Sequence, residues 1–200
     1  MIEMQIELTL TEPAPFFPLL QQGFQVQARM GSSVRTFLTE DLGIDPDYLE
    51  NRIQTIFLNG HPVDDLNETV VTDGAVIALS AAMPGLVGAT MRRSGVLASF
   101  RDGITYRATD VREATDRGVV TVKLFNLLVR ELGPGFLEHG IWVNPDEVAG
   151  IFDPHGTELA QVCQSAKCEG RPRSDVADLA REISVKRPDR VELIVHSTNG

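Results

Sequence analysis

Two cysteines and a nearby acidic and imidazole group are the residues of this chain whose types and spacing could do chemistry. Cys163 and Cys168 are separated by four residues in a polar stretch, a spacing that suits one half of a metal site. Asp153 and His155 precede them beside a proline and a glycine, and they could serve hard-metal or acid–base chemistry. The residues permit two interpretations: a small metal-binding protein or enzyme that uses these four side chains, or two incidental thiols beside a turn.

The rest of the chain contains none of the common catalytic motifs. It has no nucleophile elbow, no phosphate-binding glycine loop, no dinucleotide fingerprint and no zinc-protease helix motif. An iron–sulfur cluster of the plant type needs four cysteines, and the chain has two. We therefore expect no cofactor and favour a non-catalytic function.

Composition and charge place the chain among ordinary globular proteins. Its 200 residues are 42% hydrophobic and 23% charged, which is enough apolar material for a core. The net charge of −10 argues against nucleic acid as a partner, because phosphate binding needs clustered Lys and Arg. We expect no membrane association, since the longest apolar run, residues 76–91, is short and contains a proline. With no secretory signal and only two cysteines, the cytoplasm is the expected location.

The first half of the chain alternates between strand and helix signals. Residues 2–10 alternate apolar and polar side chains, as a half-buried strand does, and residues 24–29 repeat the pattern. A helix is predicted over residues 34–42, where apolar side chains recur at helical spacing between a serine cap and Gly43. Residues 56–58 and 75–79 read as buried strands.

This order of two strands, a helix and further strands is the layout of a β-grasp domain, in which one helix packs across a mixed sheet. The motifs Leu42-Gly43, Asn59-Gly60 and Asp73-Gly74 stand in the order and spacing found in the ThiS/MoaD family. Residues 1–85 thus resemble the ubiquitin-like sulfur carriers of thiamine and molybdopterin biosynthesis. The resemblance implies an α+β fold, a β-grasp (ubiquitin-like) domain at 1–85 and a tendency to bind proteins.

The chain departs from that family where the carriers have their reactive end. Those carriers end in a free Gly-Gly whose carboxylate is activated, whereas this chain has Met83-Pro84-Gly85-Leu86 and continues for more than a hundred residues. The uncleaved chain cannot perform carrier chemistry at this place. Two functions follow: a non-catalytic protein-interaction or assembly module, or a sulfur-carrier precursor processed near Gly85.

Two apolar segments outside the predicted strands could serve a protein partner or self-association. The segment at 16–20 either covers the sheet or meets a partner, and the connector at 86–101 is too apolar for a free linker. The predicted interaction residues are Phe16, Phe17, Leu19, Leu20, Leu86, Val87, Met91 and Phe100.

Residues 102–200 are predicted to form a second small α+β domain. A strand is expected at 104–109, a helix at 122–132, strands at 141–143 and 191–196, and a helix that begins near Asp175. Parts of this half echo the first half in sequence. The echo has two interpretations: a diverged repeat of one unit, or the chance similarity of two amphipathic helices each followed by a strand.

Overall fold

A computed structural model describes residues 2–82, 85–93, 117–152 and 157–198 of the chain. The strands are β1 (Glu3–Leu10), β2 (Phe24–Arg29), β3 (Thr55–Leu58), β4 (His61–Pro62), β5 (Val76–Ser80), β6 (Arg117–Phe125), β7 (Ile141–Val143), β8 (Cys163–Cys168), β9 (Arg171–Arg173) and β10 (Arg190–Ser197). The helices are α1 (Phe17–Gln22), α2 (Val34–Thr36), α3 (Pro46–Asn51), α4 (Gly85–Met91), α5 (Leu128–Glu131), α6 (Gly133–His139), α7 (Pro145–Phe152), α8 (Thr157–Val162) and α9 (Val176–Lys186). A 3₁₀ turn at Ala14–Phe16 precedes α1, and a π-type turn at Phe37–Asp41 extends α2. No helix in these ranges is long and apolar enough to cross a membrane.

The fold is α+β, as predicted, and the chain forms two compact units that interleave along the sequence. Unit 1 contains residues 1–24 and 129–200, and unit 2 contains residues 25–128. The boundaries fall at the first residue of β2 and within α5. The sequence analysis instead divided the chain into 1–85, 86–101 and 102–200.

Unit 1 is organised around the pairing of the first and last described strands. Its strands lie in the order β7-β10-β1-β8-β9, and β1 runs parallel to β10 and antiparallel to β8. The alternate residues of β1 that face the core are almost completely buried: Met4, Ile6, Leu8 and Leu10. Burial of an apolar side chain of this size stabilises the fold by about 1.5–3 kcal/mol. These four side chains therefore fix which face of β1 lies against the core.

The helix α9 covers the buried face of unit 1 beside β8 and β9. The side chain of Asp175 caps its first turn by accepting a hydrogen bond from the Ala177 amide at 2.9 Å. Ala177, Leu179 and Ile183 form its buried stripe, and α7 packs against it. The predicted helix near Asp175 and the strands at 141–143 and 191–196 are confirmed.

Unit 2 has the strand order β4-β3-β5-β6-β2. β5 pairs antiparallel with β3 and parallel with β6. The helical segment at residues 34–41 begins at Ser33, whose hydroxyl accepts a hydrogen bond from the Thr36 amide at 3.1 Å. The core of unit 2 combines buried side chains of this helix with those of the strands: Val34, Phe37, Leu38, Ile56, Leu58, Ile77, Leu79, Val120, Val122 and Leu124.

Two turns that the sequence predicted hold the strands of unit 2 in register. Asn59, with a φ of 51°, accepts a hydrogen bond from the Val76 amide at 2.9 Å through its side-chain oxygen. Asp73 accepts a hydrogen bond from the Val119 amide at 2.8 Å, and the Gly74 amide donates to the Val119 carbonyl at 2.9 Å. The second turn thereby fixes where β6 begins beside β5.

Two predictions about individual elements differ from the structure. The strand at 2–10 forms, but it pairs with β10 and β8 in unit 1, whereas the sequence analysis grouped it with β2, β3 and β5. The alternation that marks a strand specifies its buried face and not its partner. The helix predicted at 122–132 is wrong over residues 122–125, which belong to β6, and only Leu128–Glu131 within the predicted range are helical. There the period-two burial of Val120, Val122 and Leu124 prevails over a coincidental helical spacing.

Candidate functional site

Cys163 and Cys168 both lie on β8, too far apart to share one metal ion. Their partners on β1 are Leu10 and Ile6, with a bulge that leaves Gln164 extra. Leu10 and Ile6 are four residues apart on β1, and four residues of strand span about 13 Å, so the two cysteines opposite them are separated by about the same distance. A disulfide needs Cα atoms within about 7 Å, and sulfur ligands of one zinc ion each lie about 2.3 Å from the metal. The two thiols are therefore separate sites.

Asp153 and His155 of the predicted metal group lie outside the described residues. Within the described ranges, no cluster of three or more His, Cys, Asp or Glu side chains is arranged to hold a metal ion.

Cys168 belongs to a small hydrogen-bonded cluster with Glu182 and Arg173. The Cys168 thiol is completely buried, and burial, together with its hydrogen bond to Glu182, raises its pKa to about 11. Glu182 is held by the Arg173 guanidinium and, at 3.2 Å, by the Lys186 ammonium, and the Arg173 contact lowers the pKa of Glu182 to about 2. At neutral pH the thiol is therefore protonated and donates to a charged carboxylate. This arrangement joins β8, β9 and α9, and it does not provide a thiolate nucleophile.

The predicted interaction segment at 16–20 lies mostly in the core. Phe16, Leu19 and Leu20 are at most 1% exposed, while Phe17 is half-buried. The ring of Phe16 makes an edge contact with Phe152, with centroids 6.2 Å apart. Of the two roles that the sequence left open, the structure places these three side chains in the packing of unit 1, where they offer no surface to a partner.

The second predicted interaction segment is only partly described. Leu86 and Val87 lie in α4, Met91 is half-buried at its end, and Phe100 is outside the described residues. Just beyond α4, Arg93 anchors the chain to α3. Its guanidinium Nη2 donates to the Leu49 carbonyl at 3.0 Å and to the Ile53 carbonyl at 3.3 Å.

The Arg93 anchor also includes a carboxylate that bridges two arginines. Glu50 accepts from Arg93 at 3.4 Å and from Arg35 at 2.5 Å. The Arg93 amide donates to the Gln54 carbonyl at 2.8 Å. Burial lowers the pKa of the Arg93 guanidinium, and the charge of Glu50 opposes that shift. The segment that follows β5 is therefore fastened back onto unit 2 and does not project as a free tail.

Unit 2 carries a half-exposed sheet face opposite its core side. Register places Phe57 beside Ala78 and Ala78 beside Lys123, with Val76 next to Thr121 in the adjacent row. These side chains are half-buried, and Phe125, at the end of β6, is 39% exposed. We define the half-exposed face by its members Phe57, Val76, Ala78, Arg117, Val119, Thr121, Lys123 and Phe125. Beyond its end, Leu127 is 51% exposed.

The corresponding face of unit 1 is different, because its polar side chains are paired with one another. Lys167 donates to Glu7 at 3.0 Å, and Gln5 donates to Glu192 at 2.8 Å. The Arg190 guanidinium stacks 3.5 Å above the Trp142 ring. That face is solvated and internally satisfied, whereas the half-exposed face of unit 2 presents apolar side chains and two cations.

Sequence reasoning missed the half-exposed face because five of its eight members come from β6. The predicted helix at 122–132 covered the second half of that strand, and no strand was predicted over its first half, so the outward row from Arg117 to Phe125 was not recognised. The signal available in the sequence was the alternation of apolar Val120, Val122 and Leu124 with polar Thr121 and Lys123. The chain matches no family model, no curated protein and no solved structure.

Proposed function

We propose that unit 2 is a β-grasp (ubiquitin-like) module in which β6 supplies a strand expected before the helix. The layout anticipated from the sequence places two strands before the helix, and in unit 2 only β2 precedes it. β6 follows the other elements along the chain, lies between β5 and β2, and runs parallel to β5. A mixed sheet with one main helical segment on its buried face supports this assignment.

The function that this arrangement supports best is that of a non-catalytic protein-interaction module, related in fold to the sulfur carriers. The observation that carries this proposal is the half-exposed face, where Phe57 shares a row with Ala78 and Lys123, and Phe125 stands beside the buried Ser80 at one end. The protonated thiol of Cys168 and the separation of the two cysteines weigh against a catalytic or metal-binding role for that region.

Processing near Gly85 fits the structure less well than an intact chain. A cut there would break the polypeptide between β5 and its paired strand β6, and also between β1 and its paired strand β10. Each of these pairs buries apolar side chains in its unit. The released fragment would end at Gly85, but it would lack β6 of the unit 2 sheet and β7 to β10 of the unit 1 sheet. Intact-mass measurement of the protein from its host, with only full-length chain found, would remove the precursor hypothesis.

Site-specific photo-crosslinking tests the interaction function. The amino acid p-benzoylphenylalanine is introduced at position 125 of the full chain in its host, and irradiated lysates are compared on denaturing gels. The matched control is position 185, because Val185 on α9 is more exposed, at 82%, and belongs to unit 1 rather than to the half-exposed face of unit 2. We expect a discrete heavier adduct at position 125 and none at position 185. Equal labelling at both positions, or none at 125, would contradict the proposal.

A further inference from the structure

The half-exposed face of unit 2 is basic although the chain as a whole is acidic. Its two charged members are Arg117 and Lys123, none of its members is acidic, and the full sequence has a net charge of −10. Arg117 donates to the Gln27 side chain at 3.4 Å. Neither cation forms an ion pair with another residue in the described part of unit 2.

Lys123 is the cation of this face that a bound partner would remove from water together with the neighbouring apolar side chains. It lies in the same row as Ala78 and Phe57, so a partner that covers these two residues also covers the ammonium group. Removing a charged group from water without a partner is costly, and an opposite charge with hydrogen bonds offsets that cost. A wholly apolar partner would leave this cost uncompensated, and a second copy of the same face would bring like charges together.

We propose that the half-exposed face binds a protein segment that combines apolar side chains with Asp or Glu carboxylates. This inference rests on the proposed interaction function and specifies the chemistry of its partner. The apolar side chains cover Phe57, Val119 and Phe125, and a carboxylate lies against Lys123. Arg117 stands six residues from Lys123 along β6, about 20 Å away, and offers a second carboxylate position at the far end of the face.

Two pools of synthetic peptides test this chemistry. Both pools have the same randomised aromatic and aliphatic positions, and they differ only in whether the remaining positions are Asp and Glu or Lys and Arg. The immobilised full chain is expected to retain the acidic pool at least tenfold more than the basic pool. Binding of a retained acidic peptide should weaken as NaCl rises from 50 to 300 mM.

Charge reversal at one position locates the effect. Lys123→Glu should reduce affinity for the retained peptide at least tenfold, whereas Arg171→Glu on the exposed β9 changes the net charge equally and should alter it less than threefold. If the Lys123→Glu variant does not fold, the Lys123→Gln variant replaces it, and we expect its affinity for the retained peptide to fall at least threefold. Equal retention of the two pools, or unchanged affinity in the folded Lys123 variant, would overturn this inference.

The result that would contradict the proposed interaction function differs from the one that would contradict the acidic chemistry of the partner. Phe57→Ser and Phe125→Ser should each weaken binding of the retained peptide. Unchanged binding in both, or retention of neither pool, would contradict the interaction face itself, whereas unchanged binding in the Lys123 variant alone would contradict only the acidic chemistry of the partner.

Discussion

Glu3 and Arg190 face each other across the parallel pair of β1 and β10, and the Arg190 guanidinium donates to the Glu3 carboxylate, with one contact at 2.8 Å. These residues stand at opposite ends of the described chain. The same pairing aligns Leu8 with Val195 in the core of unit 1. Unit 1 is thus completed by residues that lie on either side of unit 2 in the sequence.

A fragment of residues 1–85 is expected not to fold. It contains β1 without β10 and β8, and β5 without β6, so the apolar faces of both strands would remain in water. Far-ultraviolet circular dichroism and amide proton dispersion in NMR spectra should indicate an unfolded chain. The control is the full chain with a protease site inserted after Gly85, which should stay associated and folded after cleavage. A folded 1–85 fragment would restore the carrier-precursor hypothesis.

Gly118→Ala should lower the free energy of unfolding by about 1–3 kcal/mol, because the added methyl group overpacks its site. A Cβ atom there would lie 2.6 Å from the Asp73 carboxylate and 2.6 Å from the Met30 sulfur. The same carboxylate oxygen accepts the Val119 amide that starts β6. Urea denaturation measures the change.

Gly150→Ala is the matched control for that substitution. It adds the same methyl group within α7, where no atom lies within 4 Å of the new Cβ. Alanine is favoured over glycine in helices by roughly 0.5–1 kcal/mol, so this variant should be slightly more stable than the parent. Equal destabilisation by both variants would show that crowding at Gly118 is not the cause.

Arg93→Ala should lower the free energy of unfolding by about 1–2 kcal/mol, because the Leu49 and Ile53 carbonyls lose their hydrogen-bond donor. Arg130→Ala, which removes an exposed arginine of α5, should stay within about 0.5 kcal/mol of the parent. Chemical denaturation followed by fluorescence gives both values. If the Arg93→Ala variant has the same free energy of unfolding as the parent, the segment after α4 is not held by this side chain.

The Cys168 thiol should make stability fall in alkaline solution. Its folded pKa of about 11 lies above the ordinary value of 9.0, so the unfolded chain loses this proton first as the pH rises. The contribution is fully present below pH 9 and is lost between about pH 9 and 11. Cys168→Ala removes it, so the stability difference between parent and variant should shrink from pH 8 to pH 10.5 in urea titrations. A difference that does not change over this range would contradict the assignment.

Local sequence signals anticipated most elements and their caps but not their partners. Ser33, Gly43 and Asp175 mark helix ends correctly because capping depends on residues a few positions apart. The alternation in residues 2–10 predicted a strand, yet nothing local specifies that β10 lies beside it. The same limit applies to the candidate site, where Phe57, Ala78 and Lys123 meet only after three distant strands have paired.

The parallel pairing of β1 with β10 has a consequence for how the protein is made. During synthesis β1 leaves the ribosome about 180 residues before β10, so the apolar row of Met4 to Leu10 lacks its parallel neighbour over that interval. Until β10 has emerged, this row is open to non-native contacts, and unit 1 can complete its sheet only afterwards.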